Sequence, residues 1–310
     1  MGVRAFGRRM VVLLAVTGAF ALATGTADAA VKEPTGPVQP NIIAAAVYSV
    51  LQPAIAPPGA NDWNCKPSAE HPNPVLLSNG TTANAYENWA NLSQLLAGAG
   101  YCVFAGNFGG VPGTFLQTIG PIADTTAQLA AFGDRVLAAT GASKLDVVGH
   151  SQGGMNPRYW IKYLGGASKI DRLIGLSPSN YGTSLFGLLT AVKAIPPVRD
   201  LVGFACAACT EQTTGSPFLT DLNAGGDTVP GVDYTVIQTR YDDVVTPYTN
   251  AFLKPAPNVK NIVLQDLCSQ DFTDHLGIPY DPIAEREVLN ALDPAHAEPP
   301  QCVYVPPVVG

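Results

Sequence analysis

Charge is scarce in this 310-residue chain: Asp, Glu, Lys and Arg make up only 13% of it, and 17 basic residues face 24 acidic ones. So few cations leave no basic stripe, which argues against nucleic acid as a partner and against polybasic attraction to anionic membranes. Long apolar runs are missing too. The uncharged stretch Met10–Ala23 spans 14 residues (10 to 23), whereas crossing hydrocarbon takes about 20, so no stable membrane anchor is expected. There is no internal repeat and no low-complexity array, which excludes solenoid architectures. Histidines number only four, and there is one C-x-x-C pair without a second.

What is present begins with Arg4, Arg8 and Arg9, the short apolar run, and then Ala27-Asp28-Ala29. A positive start, an apolar core and an A-x-A site are the parts of a secretory signal peptide. Cleavage after Ala29 or Ala30 is expected, giving a secreted, extracellular protein. The Arg8-Arg9 pair raises the twin-arginine route without deciding it. Removal of residues 1–29 takes three Arg and one Asp, so the formal charge moves from −7 to −9 (14 basic, 23 acidic). The remaining residues 30–310 suit one large α/β domain near the upper size of a single core, and a monomer is expected.

Six cysteines remain: Cys65, Cys102, Cys206, Cys209, Cys268 and Cys302. An even count in an exported chain reads as three disulfides, and six cysteines allow 15 pairings that sequence alone does not separate. Spacing suggests Cys65–Cys102, Cys206–Cys209 and Cys268–Cys302. A redox or zinc half-site at Cys206-Ala-Ala-Cys209 is the alternative, with no nearby histidine to support it.

Residues 31–74 are expected to wrap the surface, apart from a short helix near Ile42–Leu51. Strands are expected at Val75–Ser78, Tyr101–Ala105, Leu145–Val148, Ile170–Leu176, Tyr234–Thr239 and Asn261–Leu264. Helices are expected at Tyr86–Ala97, Ile122–Thr140 (closed by Gly141), Gly153–Leu164 and Pro282–Leu292. This alternation predicts the α/β class: a mostly parallel central sheet with helices on both faces. It stops after Gly182. Residues 184–222 are expected to form a cap or lid-like insertion, with Leu185, Phe186, Leu188, Leu189 and Val192 as an apolar face that covers the site, touches lipid or packs on the body.

Gly149-His150-Ser151-Gln152-Gly153 matches G-x-S-x-G directly after a strand and before a helix. That context makes Ser151 a nucleophile on a sharp strand-to-helix turn, with the flanking glycines leaving room for close backbone. A hydroxyl needs a base to take its proton. Of the four histidines, His275 follows the last strand at the sheet edge where Ser151 sits. His150 lies inside the turn pointing away from Ser151, His71 precedes the first strand, and His296 lies in the tail. Since acid follows nucleophile and precedes His in this arrangement, the loop Arg240–Pro247 supplies the acid, and Asp242 and Asp243 compete for it. The oxyanion donors are the N–H of Gln152 and the turn Leu77–Thr82, with Thr81 after Gly80 and its hydroxyl as a further donor. Asn79-Gly80-Thr81 also reads as an N-glycosylation sequon, although a glycan there would obstruct the site.

With those residues placed, the chain resembles the secreted triacylglycerol lipases of bacteria and, more distantly, fungal lipase B of the Candida antarctica type. The resemblance runs from about Asn64 to Cys302 and is strongest at Asn79-Gly80-Thr81, Gly100–Phe104, Gly149–Gly153, Ser177–Thr183, Asp242–Pro247 and Asp274–Gly277. It implies the α/β-hydrolase fold. The family's D-x-[VI]-V-x-P run implies that Asp242 is the acid, its D-H-x-G run implies His275, and its oxyanion hole implies Thr81 and Gln152. Disulfides Cys65–Cys102 and Cys268–Cys302 are compatible with it. Many relatives carry His where this chain has Asn79, which bears on the rigidity of that loop more than on its chemistry.

The resemblance implies acyl transfer through Ser151 on a lipid or ester substrate, at a lipid–water interface, without a cofactor. Asp271, Asp274 and Asp281 form an acidic group that suits Ca²⁺ in principle, but carboxylates beside such loops are more often hydrogen-bonded, so no metal is expected. Short-chain esters, cutin-like polyesters and acyl transfer to an alcohol are the neighbouring possibilities, and a non-catalytic binding protein is the contrasting one.

Overall fold

The computed structural model describes residues 1–2, 32–184, 203 and 205–308. Six short apolar runs become β1 (Val75–Ser78), β2 (Val103–Ala105), β3 (Leu145–His150), β4 (Ile170–Leu176), β5 (Asp233–Gln238) and β6 (Val259–Val263), paired in the order β2-β1-β3-β4-β5-β6. Every pairing is parallel. Parallel neighbours need long crossovers, and these run through helices that cover both faces. Residue-by-residue alternation shows it: Leu77, Val148, Ile174 and Ile237 join one core cluster, while their neighbours Leu76, Val147, Leu173 and Val236 join the other. The expected α/β class is therefore observed.

Helices α1 (Ile42–Leu51), α2 (Ala85–Trp89), α3 (Leu92–Gly98), α4 (Ile122–Thr140), α5 (Gln152–Met155), α6 (Pro157–Tyr163), α7 (Ala207–Glu211), α8 (Pro217–Asn223), α9 (Leu264–Leu267) and α10 (Pro282–Leu292) fill the intervals. On one face Leu92 and Leu96 of α3 share a buried cluster with Ile283, Val288 and Leu292 of α10. On the other, Leu129 and Val136 of α4 pack with Trp160 and Ile161 of α6. Each such side chain contributes about 1.5–3 kcal/mol by leaving water.

Two expected helices are each divided. The stretch Tyr86–Ala97 breaks after Trp89, because the Ser93 hydroxyl takes the Trp89 carbonyl at 2.6 Å and the Asn91 amide is drawn to Glu285 at 2.8 Å. The stretch Gly153–Leu164 breaks at Pro157, which has no N–H to continue the ladder and instead starts α6. By contrast α4 ends where expected, on Gly141 in the left-handed conformation.

The disulfides are Cys65–Cys102, Cys206–Cys209 and Cys268–Cys302, the pairing that spacing suggested. The last of these ties the tail beneath the loop after α9, where Phe272 N–H donates to Val305 at 2.9 Å and Val305 N–H donates to Gln270 at 3.2 Å. Within the expected 184–222 insertion, α7 and α8 are described. The expected apolar face Leu185, Phe186, Leu188, Leu189 and Val192 lies outside the described residues, as does the expected leader segment over residues 3–29. Among the described residues no helix is long and apolar enough to cross a membrane.

Candidate active site

Strand register gathers the loops that matter. Ser78 pairs with Gly149, His150 with Leu176, and Leu176 with Ile237, so β1, β3 and β5 end at one level. Directly after β3 the chain reverses at Ser151, whose φ is 54° and ψ −122°. Such a conformation is rare for a residue with a Cβ, and it costs of order 1–3 kcal/mol. The glycines make the turn possible. A Cβ on Gly149 would lie 1.9 Å from the Gly153 carbonyl oxygen, and one on Gly153 would lie 2.1 Å from that of Ser78. The turn thus places Ser151 against the end of β1 and at the floor of a cavity of about 290 Å³, which His275 and Thr81 also line.

His275 and Asp242 meet beside it. The Nδ1 of His275 lies 3.0 Å from Asp242 Oδ2, and both side chains are buried. Asp242 accepts three further bonds: Gln238 Nε2 at 2.9 Å, Val244 N–H at 3.0 Å and Val245 N–H at 2.7 Å. Burial alone would raise the Asp242 pKa, but the His275 charge and hydrogen bond, with the Gln238 and Val245 donors, outweigh it and hold it below the ordinary value. Asp243, its rival, faces solvent. Of the other histidines, His71 stacks on Tyr101 with ring centroids 3.9 Å apart, and His296 pairs with Asp293 at 2.8 Å.

Around the proposed oxyanion turn, Asn79 is 1% exposed, donates to the Gly106 carbonyl at 2.9 Å and accepts from Trp89 Nε1 at 2.8 Å. It pins the loop, in line with the role expected at that position, and its buried amide has no room for a glycan. Gln152 opens α5, where a first-turn N–H has no intrahelical acceptor. The Thr81 hydroxyl donates to Gln152 Oε1 at 2.8 Å and accepts from Gln212 Nε2 at 2.7 Å. The acidic residues Asp271, Asp274 and Asp281 are occupied with backbone: they accept from Thr273, from Leu276 and Gly277, and from Ile283 respectively. Among the described residues no group of three or more His, Cys, Asp or Glu side chains is arranged to hold a metal ion.

Sequence reasoning missed Glu87 and Gln212 here, and it gave His150 no part beyond excluding it as the base. His150 is fully enclosed. Its Nε2 lies 2.9 Å from the His275 carbonyl and its Nδ1 lies 3.0 Å from the Asn88 amide, whose own oxygen accepts from Gly80 N–H at 2.7 Å. Burial, then the proximity of His275, lowers its pKa to about 3, so the ring is neutral and donates from Nε2 to that carbonyl. Glu87 lines the cavity beside Ile42, Ala83, Val244 and Leu276, and burial pushes its pKa up to about 7 against a backbone hydrogen bond from Asn84. Gln212 closes the far side. The spacing Asn84-x-x-Glu87 is a capping-box pattern and would have marked Glu87; His150 and Gln212 have no local signature.

Comparison with known proteins agrees with this geometry. The family model described as lipase (class 2) matches residues 72–275. Lipase B of Pseudozyma antarctica is 32% identical over 145 residues, which cover 45% of this chain and 40% of that protein. A triacylglycerol lipase of Pseudarthrobacter phenanthrenivorans is 37% identical over 91 residues, 28% of this chain and 27% of that protein. The matched regions therefore span less than half the length of either relative. The crystal structure of Aspergillus fumigatus lipase B superposes with a TM-score of 0.60 at 22% identity, covering 81% of this chain and 58% of that one, and establishes the α/β-hydrolase fold.

Proposed function

The chain belongs to the class 2 lipase family, and from that premise we propose that it is a carboxylic ester hydrolase, specifically a triacylglycerol lipase acting through an acyl-enzyme on Ser151. The observation that carries this reading is the 3.0 Å bond from buried Asp242 to Nδ1 of His275, a ring that lines one cavity together with Ser151. That bond selects the tautomer of His275 whose Nε2 is free to accept a proton.

His275 Nε2 takes the Ser151 proton as Oγ attacks the ester carbonyl carbon. Asp242 stabilises the imidazolium that forms. The carbonyl oxygen becomes negative and is met by the N–H groups of Gln152 and Thr81, assisted by the Thr81 hydroxyl. Collapse breaks the C–O bond, and the leaving alcohol takes the proton back from His275. Water then enters, gives a proton to His275 and attacks the acyl carbon; the bond from that carbon to Ser151 Oγ breaks, His275 returns the proton to Oγ, and the carboxylic acid leaves. The strained backbone at Ser151 supports this reading, as does the apolar lining from Ile42, Ala83, Val245 and Leu276, which suits an acyl chain over a charged substrate.

Three disulfides and the leader-like Arg4–Ala29 segment support secretion into an oxidising compartment. The test is a rate profile over acyl chain length, from soluble butyrate esters to emulsified triolein, with Ser151→Ala alongside and fluorophosphonate labelling of Ser151. The lipase reading expects turnover of the emulsion and none by the mutant. Activity confined to soluble short esters would replace it with an esterase, and turnover by Ser151→Ala would remove Ser151 as nucleophile.

A further inference from the structure

We propose that Gln212 is a positioning residue of the oxyanion hole, one that frees the Thr81 hydroxyl proton for the transition state. The inference rests on the ester-hydrolase reading above and adds to it a residue far from the catalytic loops in sequence.

A threonine hydroxyl has one proton to give. In the structure that proton goes to Gln152 Oε1 at 2.8 Å. If it turned to an oxyanion, Gln152 Oε1 would lose its donor in a buried setting, a desolvation penalty set directly against catalysis. Gln212 removes that cost. Its Nε2 carries two protons and reaches Thr81 Oγ1 at 2.7 Å and Gln152 Oε1 at 3.1 Å, while a third acceptor, the Ala208 carbonyl at 3.2 Å, already takes the Gln212 backbone N–H at 3.0 Å. Gln152 Oε1 therefore keeps a donor when the Thr81 proton swings away. Donation into Thr81 Oγ1 also polarises the hydroxyl and strengthens its outward bond.

The amide is held so that only this orientation serves. Gln212 Oε1 accepts from the Ser179 hydroxyl at 2.7 Å, which fixes Nε2 on the side of Thr81. The backbone is tied at both ends, with Gln212 N–H on the Ala208 carbonyl at 3.0 Å and the Gln212 carbonyl on Thr183 N–H at 2.9 Å. Gln212 is 6% exposed and caps α7, which the Cys206–Cys209 bridge staples at its start. The insertion thus contributes a working donor to the site as well as a wall.

The test is a double-mutant cycle on a soluble butyrate ester, using Gln212→Glu, Thr81→Val and both together. Glu keeps the shape but has no N–H to give. Loss of one oxyanion donor costs about 10²–10³ in kcat, so Thr81→Val should fall in that range. Gln212→Glu should lower kcat by at least about tenfold, with KM moving less than about twofold. The double variant should match Thr81→Val within about twofold, because Gln212 acts through that hydroxyl. A Gln212→Glu loss that multiplies with the Thr81→Val loss, or a Gln212→Glu kcat equal to wild type, overturns the proposal. Thermal melts accompany each variant, and Gln212→Met, neutral and of similar length, is read in the same cycle if Glu at that position does not fold. Wild-type protein that neither turns over the ester nor takes fluorophosphonate at Ser151 would overturn the hydrolase reading instead, a result separable from an additive cycle in an active enzyme.

Discussion

Asp242→Asn isolates the acid from its neighbour more cleanly than any truncation. The Asp242 carboxylate accepts four bonds, two at each oxygen: His275 and Gln238 at Oδ2, Val244 and Val245 at Oδ1. Asparagine turns one of those oxygens into an NH₂. Whichever way the amide is placed, two donors then face a donor. With NH₂ towards His275, the ring must expose its lone pair at Nδ1 and carry its proton at Nε2, the wrong tautomer for taking a proton from Ser151. With NH₂ towards Val244 and Val245, two backbone N–H groups lose a charged acceptor. Hydrogen bonds to charged groups contribute about 1.5–3 kcal/mol each, so two of them bound the stability loss at about 3–6 kcal/mol before relaxation. For catalysis, the same Asp-to-Asn exchange in a Ser-His-Asp site lowers kcat about 10⁴-fold, equivalent to about 5.4 kcal/mol at 1.36 kcal/mol per tenfold. Asp243 is exposed, so Asp243→Asn should change kcat less than about twofold and stability by under about 0.5 kcal/mol. Steady-state kinetics on a soluble nitrophenyl ester, with a thermal melt of each variant, reads both effects. An Asp242→Asn enzyme retaining a tenth of wild-type kcat, or an Asp243→Asn enzyme as impaired as Asp242→Asn, would refute the assignment.

Gly153→Ala drives a methyl towards the carbonyls of Ser78 and Asn79, 2.1 and 2.5 Å from an ideal Cβ. The end of β1 must give way, and we expect about 1–3 kcal/mol of lost stability together with a kcat at least a hundredfold lower; an active, stable variant would contradict the close-approach argument. Replacing Cys65 and Cys102 together by Ser opens a loop with a sequence separation of 37. Chain entropy puts the loss near 4 kcal/mol, with about 2–4 typical, and denaturant melts that fail to shift would count against it. Glu285 gives a pH signature. Burial, opposed by the Asn91 hydrogen bond, pushes its pKa up to about 8, whereas an unfolded Glu titrates near about 4.3. Between those values the folded chain holds the extra proton, so stability falls as pH rises through the window. Glu285→Gln keeps the oxygen that accepts from Asn91 and should flatten the decline in melting temperature between pH 5 and 8; an unchanged slope would assign it elsewhere.

Much of the frame was legible because it is written in local periodicity. Each of the six expected strands appears, with ends shifted by at most two residues, and α4, α10 and the Gly141 cap match their expected bounds. The placing of Ser151 and His275 at one sheet edge was readable from strand ends and chain order. Which of Asp242 and Asp243 meets His275 was not separable by residue type; the family resemblance favoured Asp242, and the bonds from Gln238 and from two backbone N–H groups give the physical reason that it is Asp242 that turns inward. What stayed illegible is what depends on long-range polar contact. Asn88, His150 and the His275 carbonyl form one buried chain of bonds, yet 62 and 125 residues separate its successive members. Gln212 lies 131 residues from Thr81. No period or propensity records such meetings. The break after Trp89 belongs with them, since it turns on where the Ser93 and Asn91 side chains find partners.

The buried Asn79 amide also decides where this protein can be made. A eukaryotic secretory host offers its glycosylation machinery the Asn79-Gly80-Thr81 tripeptide while the chain is still extended. Once a sugar is attached there, the amide can no longer sit 2.9 Å from the Gly106 carbonyl with 1% of its residue exposed. Editing the tripeptide away is no remedy, because Asn79 pins the loop and Thr81 is a proposed donor to the reaction. Yeast production should therefore split into an unmodified folded fraction and a glycosylated fraction that never matures, whereas a bacterial host avoids the competition.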